Sequence, residues 1–289
     1  MIRQAYLAGS WYESDPSACH AAVSRLMDQA EPPADLPEIL FGGLVPHAGW
    51  AFSGRLAALT LRAMSARGRL DRVVVFGTDH RGLSRLGAVF DEGQWDTPLG
   101  LVAVDEELAR ELVAGGWRLE SDLRPRPNEN SIEVQMPLIR HLKPDVRVVP
   151  IYVPPTSEAA AIGTAVGQVL RKGFPQAGVV GSTDLTHYGP GYSFTPGGAG
   201  RDGRAWAEAN DRRMLDLIAA MKAEEVVAEA GARHNACGGG AIAATIAATA
   251  ALGATRGVVL DYTSSAEVMA ETYGRHPEDA VGYASVVFA

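Results

Sequence analysis

Phe41-Gly-Gly-Leu-Val-Pro-His-Ala-Gly-Trp-Ala-Phe-Ser-Gly54 is the stretch on which the reading of the fold turns. Residues 39–45 are apolar and few, and Pro37 and Pro46 bound them, as in a buried strand. The run breaks at Pro46 and a histidine follows at once. Gly49 and Gly54 flank a tight connection, and a helical pattern is expected from about Arg55. His47 therefore stands on the loop just past the C-terminal end of a strand. In open α/β sheets ligands and reacting groups gather there. One histidine so placed carries little, so the question is what else reaches the same edge.

Working outward, residues 55–66 place Leu56, Leu59, Thr60 and Ala63 at helical spacing. Arg72-Val-Val-Val-Phe-Gly77 is a second buried strand, ending in Thr78-Asp79-His80. Strand, helix and strand in this length read as a βαβ unit, a parallel pair with a right-handed crossover. His80 then shares the edge with His47. Residues 146–153 form a third strand, followed by a helix over 157–172. Ala177-Gly-Val-Val-Gly181 is a fourth strand, and Ser182-Thr-Asp-Leu-Thr-His-Tyr-Gly189 follows it, bringing Asp184 and His187.

The rest of the chain fits the same plan. Asp15-Pro16 reads as a helix start, with Val23, Leu26 and Met27 facing inward before Gln29. A short strand is expected at 87–90, a loop with Trp95 and Pro98 at 93–100, and a helix with an acidic first turn at 105–114. Residues 123–130 read as a polar loop, and Ser131 as the cap of a helix through Leu142. The Gly- and Pro-rich segment 189–203 is expected to be a mobile loop over the edge. Residues 204–230 are helical with a break near Ala220, 241–252 form an Ala-rich helix, and 258–262 and 283–288 are closing strands. The expectation is an α/β fold, a single domain over residues 1–289, with a mostly parallel central sheet flanked by helices.

Composition narrows the function. The 289 residues carry a formal net charge of −8. That balance argues against a nucleic-acid or anionic-membrane partner, since both need clustered Lys and Arg. No apolar run is long enough to span a bilayer. Residues 1–14 lack the apolar core of a secretory signal. The two cysteines, Cys19 and Cys237, are expected to be free thiols in a cytoplasmic protein.

The candidate polar set is His47, His80, Asp184, His187 and Cys237. Imidazole and thiolate suit iron, zinc and copper, whereas magnesium and calcium prefer oxygen. Three protein donors leave positions open, as in a catalytic metal site. Asp184 and His187 stand three apart and would point the same way if that segment were helical. Each residue also has a plainer role open to it. His47 and His80 could be hydrogen-bonded loop histidines, Asp184 a turn residue and Cys237 a small buried hydrophobe. His234 lies close enough to Cys237 to support it. Glu133 is either a first-turn helix acid or a pocket residue. Trp11, Tyr12, Trp50 and Tyr188 form either an aromatic wall for a flat ligand or part of the core.

Ala8-Gly-Ser-Trp-Tyr12, Pro46-His-Ala-Gly49, Gly77-Thr-Asp-His80, Ser131-Ile-Glu133, Ser182-Thr-Asp184 with His187, and Cys237-Gly238 occur in this order over nearly the whole chain. In this the sequence resembles the Memo proteins, including the bacterial form called AmmeMemoRadiSam system protein B. The resemblance implies a fold similar to the class III extradiol ring-cleavage dioxygenases. It also implies a metal held by His47, His80 and Cys237, with His187 and Asp184 as catalytic residues beside it. Iron, as Fe(II), is the implied metal, with copper or zinc as alternatives, and the implied activity is that of a dioxygenase-like oxidoreductase. Trp11, Trp50, Glu133 and Tyr188 are the candidate pocket residues. Two other functions go with the resemblance: a non-catalytic module binding a phosphotyrosine-like peptide or a protein, and a zinc-dependent hydrolase. Its name implies association with a radical-SAM enzyme and a third small protein. In the dioxygenases the third ligand is a carboxylate, whereas here the matching position is a thiol. Asn130 stands where the family often has His, and Trp50 where it often has Tyr.

Overall fold

Val- and Ile-rich runs cannot leave their backbone groups unpaired once buried, so they pair with one another. In the computed structural model, which describes residues 1–289, they make one continuous sheet. Its strands run in the spatial order Ile2–Arg3, Gln94–Trp95, Val102–Val104, Arg147–Val153, Arg72–Thr78, Gly178–Ser182, Gly42–Val45, Ala280–Phe288 and His187–Tyr188. The four strands from Arg147–Val153 to Gly42–Val45 are parallel. Ala280–Phe288 runs antiparallel to Gly42–Val45 and carries Gly257–Ser264 antiparallel on it. The result is an α/β domain with a mostly parallel sheet and one dominant apolar core.

One topological expectation is corrected. The strands before His47 and His80 are parallel but are not neighbours. Gly178–Ser182 lies hydrogen-bonded between them, pairing Val45 with Ser182 on one side and Phe76 with Gly181 on the other.

Several element bounds also differ from the reading of the sequence. The helix expected from Arg55 begins at Trp50 and runs to Ala66, with Gly49 as its N-cap. Gly54 lies inside it because the helix crosses close to Leu26, whose Cδ1 would sit 2.9 Å from a Cβ there. The helix expected over 131–142 is two pieces, Asn130–Glu133 and Met136–Leu142. Pro137 has no N–H to continue the first piece, and the cap is Glu129, which accepts from the Ser131 N–H. In the segment expected to be a loop, a single 3₁₀ turn spans Pro190–Tyr192 and the helix Gly200–Ala219 has already begun. A break follows as expected, with Met221 at φ 57°, before the helix Ala223–Arg233.

The Ala-rich helix Gly239–Leu252 covers one face of the sheet and packs on Ala159–Gly173. A Cβ at Gly163 or Gly167 would strike the carbonyls of Ala244 and Ala248, so small residues set that approach. No helix is long and apolar enough to cross a membrane.

The N-terminal segment is tied down by a buried ion pair. Arg3 Nη1 donates to Glu133 Oε2 at 2.6 Å, and Glu133 Oε1 accepts from the Leu7 N–H at 2.6 Å and the Tyr12 hydroxyl at 3.1 Å. Removing one partner strands the other charge away from water. Glu133→Ala is expected to cost about 3–5 kcal/mol, read as a lowered midpoint in denaturant unfolding. A loss below about 1 kcal/mol would show that Arg3 finds another partner.

Candidate metal centre

Each donor is delivered by a loop at the carboxyl edge of the parallel strands. Pro46 ends the first of them, and the turn after it is held from three sides. The Gln135 side chain donates to the Pro46 carbonyl at 2.8 Å, and Asn130 Nδ2 donates to the His47 carbonyl at 2.7 Å. The His47 N–H donates to Asp184 Oδ1 at 2.7 Å. The His47 ring is buried, with Nδ1 2.9 Å from Ser182 Oγ, which leaves Nε2 facing Cys237 Sγ at 3.1 Å. His80 is fixed by Glu129. Its backbone N–H donates to Oε2 at 3.0 Å and its Nδ1–H to Oε1 at 2.9 Å, so its Nε2 is left for a ligand.

Cys237 is placed by backbone pairing with the loop after Gly178–Ser182. Its N–H donates to the Asp184 carbonyl at 3.2 Å, and its sulfur accepts from the Asp184 N–H at 3.3 Å. Gly238 is required by this approach, since a Cβ there would lie 2.7 Å from the Ser182 carbonyl, Thr183 and Thr78.

One ligand atom each from His47, His80 and Cys237 lies within 4.8 Å of the other two. Metal bonds of roughly 2.0–2.3 Å would draw such donors to about 3.3–3.8 Å from one another in a tetrahedral set. Small side-chain shifts would therefore bring the cluster to ligation, His47 and Cys237 parting slightly from 3.1 Å and the wider separations closing. Both imidazoles have their remaining nitrogen held by another group, which orients a metal-binding histidine. On geometry and donor chemistry the residues fit a metal ion.

The charges are prepared for it. Burial opposes ionisation of Cys237, but the charge and hydrogen bond of His47 and the hydrogen bond from His80 bring the thiol down to about 6. Burial likewise works against a charged His80, yet hydrogen bonds to Cys237 and Glu129 outweigh it and raise the imidazole to about 10. Glu129 is held well below the usual carboxylate range: burial pushes it up, but the His80 hydrogen bond and charge more than compensate. Without a metal, the pair at neutral pH is a thiolate beside an imidazolium. Taking up a cation must then displace a proton from His80.

Asp184 and His187 stand next to this group. Burial raises Asp184 to about 6 against the opposing pull of the His47 N–H and the nearby imidazoles. Burial lowers His187, with the Asp184 charge working the other way. The segment between them is not helical. His187–Tyr188 pairs as a strand with residues 280–281. Asp184 is instead occupied with the His47 turn, while the His187 ring packs on Tyr192 at 5.1 Å.

A cavity of about 800 Å³ opens over the centre, and His47, His80, Cys237, Asp184 and His187 all line it. Trp11, Phe52, Tyr192 and Tyr283 supply its aromatic surface. Of the other pocket candidates, Trp50, Glu133 and Tyr188 are not among the lining residues. Trp50 donates its indole N–H to the Val134 carbonyl at 3.0 Å and packs on Tyr12. Glu133 holds Arg3, and the Tyr188 hydroxyl donates to the Gly198 carbonyl at 2.6 Å within a cluster with Phe194 and Trp206. Sequence reasoning missed Glu129, Ser182, Tyr192 and Tyr283. Glu129 lay in a stretch read only as polar loop, and nothing local marks it as a partner of His80.

A mostly parallel sheet with two imidazoles and a thiol converging at its carboxyl edge defines an α/β protein with a candidate metal site. The family described as Memo-like protein matches residues 3–287, so the chain belongs to it. The MEMO1 family protein of Thermococcus kodakarensis is 34% identical over 299 aligned residues, covering 100% of this chain and 99% of the relative. That of Methanopyrus kandleri is 33% identical over 299 residues, with the same coverage. A third, from Methanothermobacter thermautotrophicus, is 33% identical over 294 residues, 98% of this chain and 99% of the relative.

The thiolate is the nucleophile, so alkylation of Cys237 by iodoacetamide in metal-free protein should be slow below pH 6 and fast above it, with a midpoint near 6. A midpoint near that of a free thiol, about 8.5, would exclude the thiolate–imidazolium pair. Glu129→Gln is expected to weaken metal binding about 10–100-fold in chelator competition, because His80 loses the carboxylate that orients it.

Proposed function

We propose that this Memo-like protein is a mononuclear metal-dependent oxidoreductase acting on a small, flat organic substrate, with divalent iron as the favoured metal and copper next. The observation that carries the reading is the convergence of two imidazole nitrogens and one sulfur, all within 4.8 Å, beneath a cavity of about 800 Å³. A thiolate in the set excludes the oxygen-preferring cations, and three protein donors leave coordination positions open.

His47 and His80 through Nε2, and Cys237 through sulfur, would hold the ion. Iron bound there would supply redox chemistry and positions for dioxygen and a chelating substrate. The protein's own groups do the rest. Trp11, Phe52, Tyr192 and Tyr283 offer ring faces to a flat substrate and keep water from it. His187, held neutral by burial, accepts a proton from a substrate hydroxyl in the cavity. Asp184 keeps the His47 turn rigid and favours the imidazolium that His187 becomes.

Two imidazoles and a thiolate also lie within the donor range of zinc, so hydrolysis by a metal-bound hydroxide is the second reading. A phosphopeptide site is disfavoured, because no lysine or arginine lines the cavity.

Elemental analysis and oxygen uptake on protein purified without oxygen test the reading. Iron or copper near one equivalent with substrate-dependent oxygen consumption is expected. Zinc with no oxygen uptake would move the assignment to hydrolysis. His47→Ala should retain less than about a tenth of the metal while unfolding within a few degrees of the parent protein. Equal loading of the two proteins would remove His47 from the centre.

A further inference from the structure

A second cavity reaches the same centre from another side. It measures about 590 Å³ and shares only His187, Tyr192 and Cys237 with the larger one. Its remaining walls are Ser193, Phe194, Ala230, His234 and Ala236. The His187 and Tyr192 rings, 5.1 Å apart, stand on the boundary between the two spaces.

We propose that this second cavity is a separate approach to the metal centre, used by a small uncharged co-substrate, and that His187 and Tyr192 form the partition from the substrate cavity. The inference rests on the oxidoreductase reading for the nature of the co-substrate, a molecule of dioxygen's size. The route itself is independent of that reading.

Three observations support it. No carboxylate, lysine or arginine lines the second cavity, so an ionic substrate would lose its water there without a charged partner. Of the three donors only Cys237 faces it, whereas all three face the larger space. What enters from this side therefore meets the sulfur before either imidazole.

The partition is also held in place. Tyr192 ends a 3₁₀ turn whose Gly191 N–H donates to Asp279 Oδ1 at 2.8 Å, and the turn is closed by pairing between Gly189 and Phe194. The Phe194 ring packs against His234 with centroids 5.3 Å apart. His234 sits in the left-handed region, φ 52° and ψ 37°, as the C-cap of Ala223–Arg233, and so lines the cavity from the helix end.

Cys237 lines both spaces, and its reactivity reports access from each. The test uses metal-free full-length protein carrying Cys19→Ala, so that Cys237 is its only thiol. Two reagents are compared: methyl methanethiosulfonate, small and neutral, and dithiobis-nitrobenzoate, bulky and anionic. Met269→Trp obstructs the larger cavity and Ala236→Phe the second. With Met269→Trp the bulky reagent should slow about tenfold or more while the small one stays within about twofold. Adding Ala236→Phe should then slow the small reagent about tenfold as well. Ala230→Leu serves as a second obstruction if Ala236→Phe does not fold, judged by circular dichroism. If Met269→Trp slows both reagents equally, or if neither obstruction of the second cavity affects the small one, the separate approach does not exist. Metal content and oxygen uptake, measured apart from labelling, decide the oxidoreductase reading whatever the labelling shows.

Discussion

Strand Gly178–Ser182 is hydrogen-bonded between the strands that deliver His47 and His80, and the distances in the candidate metal centre follow from that placement. Two interstrand steps separate the outer strands by about 9.5 Å. Side chains leaning over the middle strand bring the two imidazole centroids to 5.2 Å. The loop leaving the middle strand then occupies the gap. It offers Ser182 to one ring, Asp184 to the backbone of the His47 turn, and both peptide groups of Asp184 to Cys237. Had the strands before His47 and His80 been neighbours, no such support would stand between them.

The same placement accounts for the electrostatics. A buried thiol has no reason to ionise by itself, and desolvation opposes it. It ionises here because two imidazoles are held against it, and one of those is kept charged by Cys237 and by Glu129, which accepts from the Ser131 hydroxyl at 2.7 Å. Glu129, His80 and Cys237 thus depend on one another for their protonation states, and Ser131 supports Glu129 with its own hydrogen bonds. Close backbone approach makes this possible. Gly238 permits contact with the Ser182–Thr183 loop, and Gly163 and Gly167 let the helix that follows Cys237 pack on its neighbour.

Much of this could be read in the residues. The four central strands, the helices between them and the edge that carries His47, His80, Asp184 and His187 follow from apolar runs ending in polar loops. The helix start at Trp50 did not, because Gly54 looks like a breaker and is instead a packing residue against Leu26. Nor did the division at Pro137, since the apolar pattern runs on across it. In the pocket, Trp11 reaches the cavity. Trp50, Glu133 and Tyr188 are used instead by an indole hydrogen bond, a buried ion pair and an aromatic cluster. Asn130 serves the His47 turn through its amide.

The sequence by itself determined the class of the sheet, the edge at which chemistry would lie and the residue types available there, because strand length, periodicity and proline are local properties. Tertiary structure alone decided that a third strand enters between the two histidines. It also decided that Cys237, 190 positions from His47, meets its Nε2 at 3.1 Å, and that Glu129 is the carboxylate behind His80. Those are outcomes of which strands pair and how closely helices approach. They depend on the summed burial of many distant side chains, and no single stretch of chain contains it.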